Sequence, residues 1–570
     1  MASANGIVVP AAYSPPVDPQ REFIKRRLDD ENERIEVGVA IVGGGPAGLA
    51  CANKLLQLLA DEPELTERLG EVPVAVIEKG KACGAHNVSG AMMRPSGLQE
   101  LFPDLSPSDW PTYGEVEKDT VYWMLGSGRA LPLKPTPPPF RNHGNHVVSV
   151  AELSRWMAEK AEEAGAYILT ETSAQQLLVE DGVVRGIHSG DKGRGKDGQP
   201  LGNFEPGADV TARATVLAEG TWGHLTGAAI REFDLAEGRE PQVWALGVKE
   251  VWEVPKALDR VIHTLGWPLR YGAKYHEFGG SWLYPMGEDK VSIGFVVGLD
   301  HTDATVSGHD LLQQFKTSKL VRGILEGGKR VAWGAKAIPE GGYWAMPKLS
   351  APGMVICGDA GGMVNVPRLK GIHYAIHAGI LAAERIVAAL KAGSTDLSAY
   401  EQAVEDSVIG KDLYESRNMK QPFSKGFFVG GAITNAMVIT KGRFPNGRWP
   451  NHRDAEVPVE VGDKKDGYPK PDGQYTFDKL SSVYITGNAG RDDAPNHIRV
   501  RRDVPRALAE TWVWMCPAGV YEIPEDAPDD GRHVDVTVNY TNCVQCGAIT
   551  AKGGRLTPPE GGEGPLYHIT

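Results

Sequence analysis

Cysteine is scarce in this chain, with six in 570 residues, and three of the six (Cys516, Cys543 and Cys546) sit near the C-terminus. So few thiols, with no secretion signal, speak against a disulfide framework and for a reducing compartment. Positive charge is also short. Sixty Lys and Arg face 73 Asp and Glu, a net −13, which speaks against nucleic acid as a partner because phosphate binding needs clustered cations. Nowhere is there an apolar run of roughly eighteen residues, so no transmembrane helix is expected, although peripheral membrane contact stays open. The N-terminus lacks the basic start and apolar core of a secretory signal and is poor in Arg, so it does not read as a transit peptide. Residues 1–35 read as an extended or disordered lead-in.

The length predicts three or four domains, and 41% hydrophobic with 23% charged residues is ordinary globular composition. The most informative segment is EVGVAIVGGGPAGLA (36–50). Val37, Val39 and Ile41 alternate as a buried strand, a helix begins near Pro46 and Ala47, and Gly43, Gly45 and Gly48 fill the G-x-G-x-x-G slots between them. The first glycine permits a tight turn, the second lets a pyrophosphate approach the backbone, and the third lets helix and strand pack closely. The phosphates would sit at the helix N-terminus. A second strand ends at Glu78, the acid expected to bind ribose hydroxyls, with residues 61–71 as a surface insertion in the crossover. A glycine-rich turn without a ligand is the bland alternative, and the ordered sequence of strand, glycines, helix, strand and acid weighs against it.

Two later segments point to FAD rather than NAD. Residues 214–223 form an apolar strand ending in a glycine turn at Gly220. Residues 351–366 form a strand running into Gly358 and Asp359, followed by a helical run after Gly371. Glutathione-reductase-type flavoproteins resemble this pattern, in which the Asp binds ribityl oxygens and the next helix points at the flavin ring; Asp359 could equally serve as a helix cap. No second G-x-G-x-x-G follows a strand, so an NAD(P)H-binding domain is not expected.

The segments GAHNVSGAM (84–92), NHGNHVV (142–148), GGSWLYPM (279–286), NVPRLKGIHYA (365–375), YPKPDGQ (468–474) and CPAGVYE (516–522) resemble those of the electron transfer flavoprotein–ubiquinone oxidoreductase family, in order, from about residue 36 to 567. The resemblance implies an α/β and α+β protein with a glutathione-reductase-type FAD-binding fold (36–120, 147–225 and 350–400). Interleaved with it is a quinone-binding and membrane-contact domain (121–146, 226–349 and 401–478), and a ferredoxin-like iron–sulfur domain (479–570) follows. It implies a monotopic membrane enzyme that takes electrons from electron transfer flavoprotein and reduces a quinone, with chemistry carried by cofactors rather than by an acid–base pair. It also places Lys79, Gly84, Ser89 and Gly90 beside the FAD, and Gly279 and Gly280 near the quinone, where missing side chains leave room for a ring; a strand bulge is the alternative for that pair. His143, His373 and His497 lie in matching motifs, and His373 is a quinone-site candidate, although a lone His is more often structural.

Membrane contact is expected around Phe423–Thr440, a moderately apolar stretch bordered by Lys420, Lys425, Lys441, Arg443, Arg448 and Trp449. A core helix is the alternative there. The proline-rich segment 131–140 is a second contact candidate, with the quinone entering between the two. Without a transit peptide, the inner face of a bacterial cytoplasmic membrane is the expected location. Residues 187–206 read as a mobile charged loop.

In the tail, Val534, Val536, Val538 and Tyr540 alternate as a half-buried strand delivering Cys543 into a loop, and residues 555–557 read as its returning partner in a small hairpin. Cys516 precedes Pro517, like the remote ligand of bacterial-type ferredoxins. The family's C-x-x-C-x-x-C would put a further cysteine at 549, where this chain has Ile549. Four readings follow: a three-iron cluster, a four-iron cluster completed by a non-cysteine ligand, zinc with His533 or His568 as fourth ligand, or no metal. The cysteine pattern beside a flavin favours iron–sulfur. Rival whole-chain readings are a geranylgeranyl-reductase- or hydroxylase-like FAD enzyme acting on an apolar substrate, and a membrane-surface scaffold with a zinc knuckle.

Overall fold

A computed structural model describes residues 6–26, 33–126, 128–527 and 533–570. Arg34–Val42, whose last six residues are buried, is an inner strand of a nine-stranded sheet. It lies parallel to Val74–Ile77 on one side and to Asp209–Leu217 on the other. Asp209–Leu217 forks the sheet: its start pairs with Val183–Ser189, and its end runs parallel to Met354–Ile356. Pro46 at the first helical position starts the helix Pro46–Ala60 with a pre-set φ. That helix packs so closely on Ile372–Lys391 that a Cβ at Gly379 would lie 2.3 Å from the Ala47 carbonyl.

A seven-stranded sheet stands beside the first, in the order Lys329–Pro339, Trp244–Glu253, Lys290–Gly298, Gly279–Met286, Val261–Gly266, Asp119–Met124, Ala130–Leu133. All its pairings are antiparallel except Val261–Gly266 with Asp119–Met124. Its core holds Trp252, Trp333, Phe295 and Phe315, and it continues into the C-terminal region through Trp512, Val534 and Cys516. The tail therefore shares this core rather than building one of its own. A charged triad lies inside it: Lys316 Nζ is 2.7 Å and Arg330 Nη1 3.5 Å from the Glu250 carboxylate, all three buried.

Several expectations change. The lead-in is built into the fold where it is described: Ile24–Lys25 pairs with Leu177 and Leu178, Phe23 joins the first core, and Val8 pairs with Val459; residues 1–5 and 27–32 lie outside the described residues. Residues 187–206 are no free loop. They carry the hairpin Lys192–Arg194 and Pro200–Glu205, with the Arg194 guanidinium over Phe204 and the Gly193 amide donating to Glu560. Ala228, Val404, Ile409 and Leu413, just past 226 and 401, pack into the first core. In the tail, the alternating strand does not pair with 555–557. His533–Asp535 pairs with Asp503–Pro505, Thr537–Val538 with Tyr521–Glu522, and Arg555–Leu556 with Ile498–Arg499. Alternation marked the buried face, but the choice of partner strand was made by distant residues.

Candidate active site

The glycine turn is fixed sterically. Gly43 has φ +112°, and a Cβ there would meet the Ala218 carbonyl at 2.3 Å; a Cβ at Gly48 would lie 2.1 Å from the Gly43 carbonyl and 3.0 Å from Ile41. Gly45 caps the helix that begins at Pro46. Glu78, buried at the end of the neighbouring strand, accepts from the Gly44 amide (2.8 Å) and the Gly80 amide (2.6 Å). Across the site, Gly371 caps Ile372–Lys391, and Asp359 faces the same space; burial pushes its carboxyl up to about 6, with Lys336 opposing.

These groups line one cavity of ≈ 630 Å³. It runs from Gly43, Gly45, Pro46, Ala47, Glu78 and Lys79, past Ser89, Gly90, Gly220, Asp359 and Gly371, to Gly279 and Gly280. Gly48, Gly84, Gly358 and His373 are not on its wall. Gly84 packs against Ala151 and Gly358 against Ala47, as support behind the wall. His373 is fully buried beside Tyr374, ring centroids 3.9 Å apart, while its neighbours Ile372 and Ala375 face the cavity. Helical periodicity turns residue 373 away. Gly279 (φ +151°) and Gly280 serve both suggested purposes: they line the cavity, and added Cβ atoms would strike the Val296 and Thr264 carbonyls at 2.0 and 2.8 Å.

The far end lies under the helix Phe427–Ile439. Phe423, Phe427, Gly431, Thr434 and Val438 face the cavity, as do Pro137, Pro139 and Phe140 of the proline-rich segment. Phe428 (69%), Val429 (52%) and Ile439 (83%) face outward. The helix is thus a surface element, not a core helix, and no described helix is long and apolar enough to cross a membrane.

The structure also brings to this wall residues that sequence reading did not select: His263, Lys336, Glu340 and Lys420. His263 is hydrogen-bonded to the Tyr284 hydroxyl at 2.7 Å, and burial followed by Lys370 holds its imidazole down to about 3. Lys420 Nζ stands 3.6 Å from Glu340, whose carboxyl is pushed up by burial. No local motif marks them, because they come from separate strands and loops. Buried polar atoms at Trp222, His224 and His497 face the cavity without a hydrogen-bond partner in the protein. A large polar ligand such as FAD fits those groups and the glycine turn.

Cys516, Cys543 and Cys546 come together although 26 residues of chain separate Cys516 from Cys543. Burial raises the Cys543 thiol, and the Cys546 and Cys516 thiols add to that; burial and then Cys516 push Cys546 up to about 12. The Gln545 amide donates to Cys543 Sγ at 3.4 Å. Among the described residues no three His, Cys, Asp or Glu converge on a single-ion position. His533 instead faces Asp503 and Tyr13, and His568 is exposed, so neither completes a zinc site. The donor set fits an iron–sulfur centre, which keeps its thiolates apart. The loop docks on the flavin-side wall: Gln545 and Gly547 line the cavity, Lys79 Nζ donates to Gln545 Oε1 (2.7 Å), Lys336 Nζ donates to the Gln545 carbonyl (3.1 Å), and Ala337 N donates to the Cys546 carbonyl (2.8 Å).

Residues 244–338 match the family model described as ETF-QO, ubiquinone-binding, and residues 473–568 that described as electron transfer flavoprotein-ubiquinone oxidoreductase, 4Fe-4S; residues 126–245 match an FAD binding domain. The mitochondrial electron transfer flavoprotein-ubiquinone oxidoreductase of Caenorhabditis elegans is 35% identical, over 93% of this chain and 91% of that protein. The chain belongs to the electron transfer flavoprotein-ubiquinone oxidoreductase family. The Bos taurus member is 37% identical over 94% of this chain and 89% of its own, and a probable member from Acinetobacter baylyi is 34% identical over 94% and 99%. As an oxidoreductase of this family, the chain carries FAD-binding, ubiquinone-binding and 4Fe-4S-type domains. A geranylgeranyl bacteriochlorophyll reductase-like structure from Thermoplasma acidophilum shares the fold at TM-score 0.52 and 17% identity, covering 74% of this chain and 95% of that one.

Proposed function

We propose that this chain takes electrons from reduced electron transfer flavoprotein and delivers them, by way of FAD and an iron–sulfur centre, to a quinone at a membrane surface. The observation that carries the reading is the continuous cavity from the dinucleotide turn to the underside of an exposed apolar helix, with the cysteine loop in its wall. FAD, when bound, supplies a centre that can gain two electrons and give them up singly. Gly43, Gly45, Pro46 and Ala47 hold its pyrophosphate on the helix N-terminus. Glu78 takes the ribose hydroxyls, Asp359 with Gly371 takes the ribityl and ring end, and Lys79, Ser89, Gly90 and Gly220 shape the wall between.

Gly279 and Gly280 leave room for the quinone ring, which enters between Phe423–Thr440 and the proline-rich segment. Reduction to quinol consumes two electrons and two protons. Glu340 and Lys420, on the wall near Phe278 and Gly279, are placed to hold protons at that end. The helix Phe427–Ile439 lies in the headgroup region. Its location is the inner face of a bacterial cytoplasmic membrane.

A geranylgeranyl-reductase-like activity is disfavoured because the C-terminal loop supplies Gln545 and Gly547 to the cavity wall. The test is anaerobic mixing with reduced electron transfer flavoprotein and a short-chain quinone. Bleaching of the bound flavin followed by quinol formation is expected. A flavin that electron transfer flavoprotein leaves oxidised would overturn the reading.

A further inference from the structure

We propose that the C-terminal centre of this chain is a three-iron cluster held by Cys516, Cys543 and Cys546, with Ile549 closing the corner where a fourth iron would need its ligand. The inference rests on the reading of the tail as an iron–sulfur site. A four-iron cubane takes four thiolates, commonly a C-x-x-C-x-x-C run and a remote Cys-Pro. Here the run supplies Cys543 and Cys546, and Cys516–Pro517 supplies the remote thiol. The next position in the spacing is Ile549.

Ile549 and the residues that follow it bring no donor to that corner. Ile549 is 4% exposed and belongs to the same apolar core as Cys516. It is packed tightly enough that a Cβ at Gly554 would lie 2.5 Å from its Cγ1 and 2.8 Å from Val500 Cγ1. Thr550 Oγ1 accepts from the Leu556 amide. Lys552, the next polar side chain along the turn, runs the other way, its Nζ donating to the His301 and Asp454 carbonyls. No described His, Asp or Glu joins the thiols as a metal-binding group. Three thiolates, with the aliphatic Ile549 in place of a fourth, match a cluster with one iron fewer.

The test uses the full-length, FAD-loaded protein, purified anaerobically. Iron, zinc and acid-labile sulfide per flavin are measured, with EPR of oxidised and reduced samples. About three irons per flavin are expected. The EPR signal should be present in the oxidised state and lost on reduction, and incubation with excess ferrous iron and thiol should not change it. Ile549→Cys, treated the same way, should rise to about four irons, with the signal moving to the reduced state. Four irons in the native protein, or uptake of a fourth on incubation, would overturn the three-iron assignment while leaving the iron–sulfur reading intact. Zinc or no metal beside intact flavin would overturn both. If Ile549→Cys does not fold, the ferrous-iron incubation of the native protein decides alone.

Discussion

At the scale of single residues, the site depends on atoms that leave no space. Gly48→Ala would drive a methyl into the Gly43 carbonyl, 2.1 Å away, so the turn must open. A destabilisation of about 1–3 kcal/mol with loss of bound FAD is expected, read from thermal unfolding and flavin absorbance; full flavin occupancy would contradict the steric argument. Lys316→Met leaves the Glu250 carboxylate buried with Arg330 as its remaining charged neighbour. A loss of about 3–5 kcal/mol should show in denaturant unfolding. Buried histidines add a pH dependence. Burial, then Lys370, holds His263 down to about 3; burial, then Lys552, holds His301 to about 3; burial, then Lys79, holds His497 to about 4. Unfolded histidine titrates near ~6.5, so below that pH the unfolded chain binds protons that the native one refuses. Their stabilisation is present above that pH and drains as pH falls toward 4. Asp359, raised to about 6, works the other way, as do the buried carboxyls of Glu340 and Asp454, while burial also holds down His86 and His373 on the histidine side. The unfolding midpoint should drop between pH 7 and pH 5, by on the order of 1–2 kcal/mol per histidine; a flat profile would refute it.

At the scale of elements, the helix Phe427–Ile439 is the test case. Its inner face is part of the cavity, and Val429 and Ile439 stand exposed on its outer face. Ile439→Glu with Val429→Glu touches only that outer face. Removing two apolar contacts should cost roughly 1.5–3 kcal/mol each in membrane affinity, measured by vesicle flotation, with flavin content unchanged. Equal flotation of variant and parent would mean that another surface makes the contact. The tail gives a different lesson. Alternation at Val534, Val536 and Val538 correctly marked a half-buried strand, but its partners, Asp503–Pro505 and Tyr521–Glu522, carry no pattern that designates them. Pairing is a long-range choice, made when the tail packs against Trp333 and Trp512 in the shared core.

At the scale of the whole molecule, a net charge of −13 repels an anionic surface, so attraction must come from local cations. Lys441 and Arg443 follow the exposed helix, and Arg94, Arg141, Arg368 and Lys370 line a cleft of ≈ 440 Å³ that also includes Lys441. Vesicles with anionic lipid should bind this protein better than zwitterionic ones, and the difference should shrink as salt approaches 1 M, where the screening length is about 3 Å. No difference between the lipids would assign the contact to apolar burial alone.

The sequence by itself determined the flavin turn, from Gly43 through Glu78, because its requirements are local: a strand, a close backbone approach and an acid at the next strand end. It also determined which thiols are present and that Ile549 stands where a fourth would be. Only the tertiary structure decided that His373 faces away from the cavity while His263, Glu340 and Lys420 face into it, that Ile24–Lys25 of the lead-in joins the first sheet, and that Gln545 joins the cysteine loop to Lys79 and Lys336. Those arrangements depend on which distant surfaces bury one another, and side-chain pattern records burial without recording the partner.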